Sequence, residues 1–466
     1  MEITVVGSVI IPLGLILFFL SKNLLYYVFI FFVPFSASSV INFETFTFGL
    51  QIPYYLGILW MTKVIITKLY NKNFTISKKD LTIVNLFIIF YLIAGISLFM
   101  PFIYKGTVDV HYPGAEQYHL PLSFSRINVT QFVYLTFVFI ITLFIYFNVK
   151  RYKEIKTTIK ILLISALFTA LWGLFQFSSY YIGFEYPDFL FNNNIGFNQA
   201  FGQTIGFYKR VNSVAPEPSK YATYLLWITP LAIGLWIYKV KDILKKHHSL
   251  IISLVLFLVL IMTTSTTAYV VFFLFFIILL IHIIKPLNLV RNFNINRNII
   301  KIFYISLLFI LVIWLIVMFI NNYLNIDLQS LITVFERVTI AKTETHSFSS
   351  RTESLIHSLK ISLQSPLLGF GWGSHRSFDL ISTLLVQIGF LGLIIFVSFI
   401  FKIIYQINTR ISYQSKTQKG LGYSLQLSII TGLLAHSVAQ PDIISLIIWV
   451  ILGISLALIK INIKSI

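Results

Sequence analysis

The chain has no cysteine in 466 residues, which removes disulfides, thiolate nucleophiles and cysteine-ligated metals at once. Charge is also scarce: 11% of residues are Asp, Glu, Lys or Arg against 57% hydrophobic, and the mean hydropathy is +0.86. So few charges cannot coat a soluble globule of this length, and so many apolar residues cannot hide in one core. Acids are scarcest, 16 against 35 Lys and Arg. The resulting net charge of +19 would suggest nucleic acid in a soluble protein, but its distribution marks topology instead, and no nucleic-acid partner is expected. Several chemistries lack their signatures. There is no Walker loop, no HExxH, no GxSxG and no Asp-x-Asp pair in a long polar loop, so neither a bound metal nor a cofactor is expected. Met1 to Leu20 lacks a basic lead and a small-residue cleavage site, and is expected to persist as the first apolar helix.

What is present is a series of apolar runs of helical length, at about 5–20, 24–35, 48–66, 81–100, 131–147, 161–182, 221–238, 249–262, 266–284, 302–320, 379–401, 421–436 and 443–459. They predict an all-α polytopic integral membrane protein with about 12 to 14 transmembrane helices, forming a single transmembrane domain over 1–466. The run at 24–35 is short and reads equally as a half-span or re-entrant segment. Placing successive loops on alternate sides puts 25 of the 35 Lys and Arg, with only 3 of the 16 acids, on one face. By the positive-inside rule that face is cytoplasmic. Four loops then face outward: 36–47, 101–130, 183–220 and 321–378. The last two are long and hold polar residues with little look of solubilising filler.

The loop 183–220 ends in Lys209-Arg210-Val-Asn-Ser-Val-Ala-Pro216-Glu217-Pro218-Ser219-Lys220. Two prolines stiffen the entry to the next helix and hold Glu217 at the membrane face. Glu217 is then either a reacting group on a rigid mount or a capping charge at the positive end of a helix. In 321–378, Arg351 opens a segment whose Leu355, Leu359, Ile361 and Leu363 predict an amphipathic helix near the interface, ending at Pro366. Gly369, Gly371 and Gly373 follow at spacings of two. They either let backbone amides approach an anion or sugar, or simply make a tight turn. His375, Arg376 and Asp379 stand at the foot of the next span, where a loop histidine is either a base or a structural group. Arg210, Arg337, Arg351 and Arg376 lie on the face otherwise poor in Lys and Arg. A guanidinium fork matches the oxygens of a pyrophosphate; pairing with local acids such as Glu353 or Glu336 is the alternative, favoured for Arg337.

Taken in order, three stretches resemble the O-antigen polymerase and O-antigen ligase superfamily of bacterial envelope glycan assembly. They are Arg210 to Ser219 with its Glu217-Pro218-Ser219 form, Arg351 to Gly373 with its Pro-Leu-Leu-Gly-x-Gly-x-Gly turn, and Gly389-Phe390-Leu391-Gly392 in the following span. Members with a His-Asn pair at the start of that span would place it at Phe378-Asp379; here the nearest histidine is His375, about one turn earlier. The resemblance implies an inverting, metal-independent glycosyltransferase of the type C membrane fold, with two large extracytoplasmic loops and its active site on the outer face of the bacterial cytoplasmic (inner) membrane. Its donor and acceptor would be polyprenyl-diphosphate-linked oligosaccharides, its further partners membrane lipid and a chain-length regulator protein. Carried onto this sequence, Arg210, Arg351 and Arg376 would bind the diphosphate, and Glu217, or failing that His375, would be the catalytic base. Lys209, Lys220, Gly371, Gly373 and Asp379 are further candidates for substrate contact. The Glu-Pro-Ser form and the displaced histidine favour a polymerase joining repeat units. A ligase moving finished glycan to a lipid core or protein is the alternative. A lipid-linked glycan transporter is a third, set against by ionisable residues that fall in loops or at span ends.

Overall fold

A backbone surrounded by apolar side chains must satisfy its own amides and carbonyls, and the helix does this within one segment. The computed structural model describes residues 1–71, 78–114, 119–197, 199, 202–205, 208–284, 346–411 and 415–463; the run at 302–320 and Arg337 lie outside them. In chain order the helices are α1 (Val5–Leu20), α2 (Lys22–Phe32), α3 (Ile52–Tyr70), α4 (Lys78–Ser97), α5 (Met100–Ile103), α6 (Arg126–Asn148), α7 (Tyr152–Ile182) and α8 (Asp188–Phe191). They continue with α9 (Pro218–Ile237), α10 (Lys246–Met262), α11 (Thr266–Ile284), α12 (His346–Ser362), α13 (Leu380–Ile411), α14 (Lys416–Ala439) and α15 (Leu446–Ile463).

Among the described residues, five helical segments are long and apolar enough to cross a membrane: Leu81–Ile103, Arg126–Asn148, Tyr152–Ile182, Leu380–Thr409 and Lys416–Ala439. This mostly helical architecture fits a multi-pass membrane protein. Among the described residues several other expected spans are shorter helices. With 11 residues, α2 rises only about 17 Å against a hydrocarbon core of about 30 Å.

Among the described residues, three of the expected polar loops carry small antiparallel sheets. Strands β1 (Glu2–Ile3), β2 (Ser39–Phe43) and β3 (Phe48–Gln51) form one sheet, β4 (Asp109–Val110) pairs with β5 (Leu120–Pro121), and β6 (Thr204–Ile205) with β7 (Tyr208–Lys209).

The chain divides into two compact units. The first comprises Met1–Phe74, Arg151–Ile340 and Gln414–Gly432. Within it α9 packs on α7, α10 and α11, and most of its side chains, Trp227 among them, are buried all round, as befits a central helix. Ser428 Oγ donates to the Trp227 carbonyl at 2.6 Å, seating α14 against it. The second unit comprises Thr75–Lys150, Ala341–Tyr413 and Leu433–Ile466. In it α4 packs on α13, α6 on α15, and α12 on α13. A small core of Val108, Val110, Leu122, Ile361, Phe370 and Val386 joins the β4–β5 hairpin to α12 and to the start of α13.

Candidate functional site

In the first unit, the segment Arg210 to Ser219 is mounted on α7 by a buried polar network. Gln176 Oε1 accepts from the Asn212 and Ser213 amides at 3.0 and 2.9 Å, and Gln176 Nε2 donates to Asn212 Oδ1 at 2.7 Å. Ser213 Oγ donates to the Thr169 carbonyl at 2.6 Å, and Asn212 Nδ2 to the Ala215 carbonyl at 2.8 Å. Ser213 itself has φ +50, a left-handed conformation uncommon outside glycine. The guanidinium of Arg210 donates through Nε to Thr263 O (3.2 Å) and Thr264 Oγ1 (3.0 Å), and through Nη1 to Gln203 Oε1 (3.0 Å). Thr264, at φ +46, is also left-handed, so strained backbone brackets Arg210 on two elements.

Glu217 occupies the N-cap position of α9 with Pro218 at N1, yet its side chain makes no cap bond to the helix amides. Its Oε2 accepts from Ser219 Oγ at 3.1 Å, its Oε1 lies 3.7 Å from Lys220 Nζ, and the side chain is 43% exposed. The carboxylate thus stands at the mouth of the helix with one face reachable. Lys220 also lies over the Phe197 ring at 5.1 Å. Lys209 is buried, lies 5.7 Å from the Tyr180 ring centre, and burial lowers its pKa below the ordinary ammonium value.

In the second unit, the glycine-rich turn packs backbone against backbone. Gly369, Gly371 and Gly373 have φ of +66, +108 and +75. A Cβ on Gly371 would meet Pro101 Cδ at 2.6 Å, and one on Gly373 would meet Gln131 Cβ at 2.9 Å. The Phe370, Gly371 and Trp372 amides donate to Val386 O, Gln387 O and Ser97 Oγ at 2.7, 3.0 and 3.1 Å, so those three amides are engaged within the protein.

His375 is fully buried. Its Nδ1 accepts the His111 amide at 3.2 Å, so in the neutral ring the proton sits on Nε2, which donates to Ser358 Oγ at 2.7 Å. Ser358 passes its own proton to the Ser354 carbonyl at 2.6 Å. Burial first, then the neighbouring His111, His357 and His119, push the His375 pKa well below the ordinary histidine value. Arg376 Nη2 pairs with Asp442 Oδ1 at 2.8 Å, and its amide donates to the His111 carbonyl at 2.7 Å. Asp379 caps α13, accepting the Ser382 amide at 2.8 Å and the Ser382 hydroxyl. Arg351 lies over the Phe378 ring at 5.4 Å. The expected helix after Arg351 forms as part of α12, but of its four apolar residues only Ile361 is buried. Ser354 and Ser358 make the rest of the inner face, and Leu355, Leu359 and Leu363 point outward.

Sequence reasoning did not find His111, His119 and His357, whose ligand atoms lie within 4.8 Å of one another. The available signal was the mirrored pattern Val110-His111-Tyr112-Pro113-Gly114 and Tyr118-His119-Leu120, a hairpin cue around Pro-Gly. Beside them opens a groove of about 640 Å³ lined by residues that include His119, Glu353, His357 and Lys360.

Searched against known protein families and against curated proteins, the chain matches none.

Proposed function

We propose that the protein is a membrane glycosyltransferase that joins polyprenyl-diphosphate-linked oligosaccharide repeat units at the outer face of a bacterial cytoplasmic membrane. The observation that carries this reading is the mount of Arg210 to Ser219. It fixes a guanidinium by hydrogen bonds to Thr263, Thr264 and Gln203 and presents a carboxylate that is not spent on capping its helix.

A guanidinium already fixed in orientation loses little freedom when it meets an anion. Arg210 then steadies the charge that builds on the diphosphate as the glycosidic bond breaks, an effect that grows where water is excluded. Glu217 takes the proton of the acceptor hydroxyl as that oxygen attacks the sugar from the face opposite the leaving diphosphate, which inverts the anomeric centre. The released polyprenyl diphosphate keeps the bonding electrons. Arg351 and Arg376 stay candidates for diphosphate contact, each to be tested by its own Lys variant. His375, with its lone pair held by the His111 amide, is the weaker candidate for the base.

The test is a glycan ladder from cells with and without the gene, joined to an assay of purified protein on lipid-linked repeat units. Single-repeat products in its absence and chain growth by the purified protein support the proposal. Long lipid-linked chains that are never transferred would assign the ligase reaction instead, and repeat units trapped on the cytoplasmic side would assign transport.

A further inference from the structure

The β4–β5 register pairs Asp109 with Pro121 and Val110 with Leu120, so the next step outward sets His111 opposite His119. Strand side chains alternate between faces, and Val108 and Val110 point into the small core of the second unit. Asp109 lies on the other, exposed face, and just beyond the strand the His111 ring packs with its centroid 4.2 Å from that of His119 and 5.1 Å from that of His357. There His357 Nε2–H donates to the Asp109 carbonyl at 2.9 Å, which leaves the Nδ1 lone pair of the neutral ring as its donor atom. Fixing one ring nitrogen by a backbone carbonyl while the other faces an ion is the usual outer-shell arrangement of metal-binding histidines. The His111 backbone is pinned on both sides, its amide by His375 and its carbonyl by the Arg376 amide.

The geometry points to a divalent transition-metal site, best suited to zinc, formed by His111, His119 and His357, in which the ion clamps the β4–β5 hairpin to α12. One ring nitrogen from each histidine already lies within 4.8 Å of the other two, and bonds of about 2.1 Å in tetrahedral geometry would draw the donor atoms to about 3.4 Å. That is a closure of at most about 1.4 Å on side chains of which only His111 is buried. Three imidazoles without thiolate suit zinc, copper, nickel or cobalt and disfavour magnesium and calcium. The groove lined by His119 and His357 leaves room for water as the fourth ligand. The proposal does not depend on the polymerase reading, in which no metal takes part.

The test uses the full chain in detergent without a polyhistidine tag, stripped with chelator and then titrated with zinc against a competing chromophore. One equivalent should bind. His119→Ala, at an exposed position, should weaken it at least tenfold, and His119→Cys should restore it, because a thiolate is also a zinc ligand. Cobalt loading should give the visible absorption of a four-coordinate ion in the wild type and not in His119→Ala. The adjacent pair His247 and His248 on α10 is the control. Equal binding by wild type and His119→Ala, or binding abolished by His247→Ala/His248→Ala while His119→Ala keeps it, would overturn the assignment. Binding that survives in His119→Ala but falls in His357→Ala would equally count against a three-histidine site.

Discussion

A general base needs a lone pair that substrate can reach. Glu217 is 43% exposed, whereas His375 is fully buried and spends its lone pair on the His111 amide. Glu217→Gln is therefore expected to lower turnover of purified protein on lipid-linked repeat units by about a hundredfold, about 2.7 kcal/mol, with donor binding retained. His375→Ala should act on folding first. It strands the buried His111 amide, a cost of about 1–3 kcal/mol, read as a lower unfolding temperature with turnover per folded molecule kept. Arg210→Lys preserves charge but not the fork that reaches Thr263, Thr264 and Gln203, so chain growth should fall tenfold or more at normal protein level. Arg210 and Glu217 were legible in the sequence because two prolines and an out-of-place arginine mark them. Their supports were not, since Gln176 sits mid-helix and Thr263 and Thr264 form a turn some 53 residues further on, with no local pattern to announce either.

Elements here are joined by close backbone contact, and glycine decides where. Helix α13 is interrupted at Gly389, at φ +65 and ψ −173, and the Phe390 amide is recovered by the Pro366 carbonyl at 2.7 Å. Gly389→Ala and Gly371→Ala each add a Cβ to a positive-φ backbone with protein atoms in the way, and should lower detergent thermal stability by about 2 kcal/mol or more. Gly202→Ala, with no described residue within 4 Å of the added carbon, should leave it unchanged. Gln176→Leu should destabilise by about 2–4 kcal/mol, because it leaves the Asn212 and Ser213 amides buried and unpaired. The glycine spacing at 369–373 was visible in sequence, but whether its amides face a ligand or a neighbour depends on Val386 and Gln387, which only the fold brings alongside. The two-residue strands β4 and β5 left no periodicity to read.

For the molecule as a whole, the long apolar runs made the helical class plain, while the lengths did not follow. The run at 24–35 gives only the 11 residues of α2, since the chain leaves the helix for the sheet at Ser39. Topology is expected to follow the Lys and Arg bias. In this cysteine-free chain, single cysteines at Asn193 and Lys360 should react with an impermeant maleimide added to intact cells, and those at His248 and Ser415 should react only after permeabilisation; the reverse pattern would invert the orientation. The bond between the His111 amide and His375 spans 264 residues, and this has a consequence in time. At a synthesis rate of roughly 5–20 residues per second, about 13 to 50 seconds separate the appearance of His111 from that of the ring that accepts its amide hydrogen bond. Through that interval the β4–β5 hairpin must persist without its partner, so assembly of this corner of the protein is among the last events of its biogenesis and the one most exposed to a truncated or stalled chain.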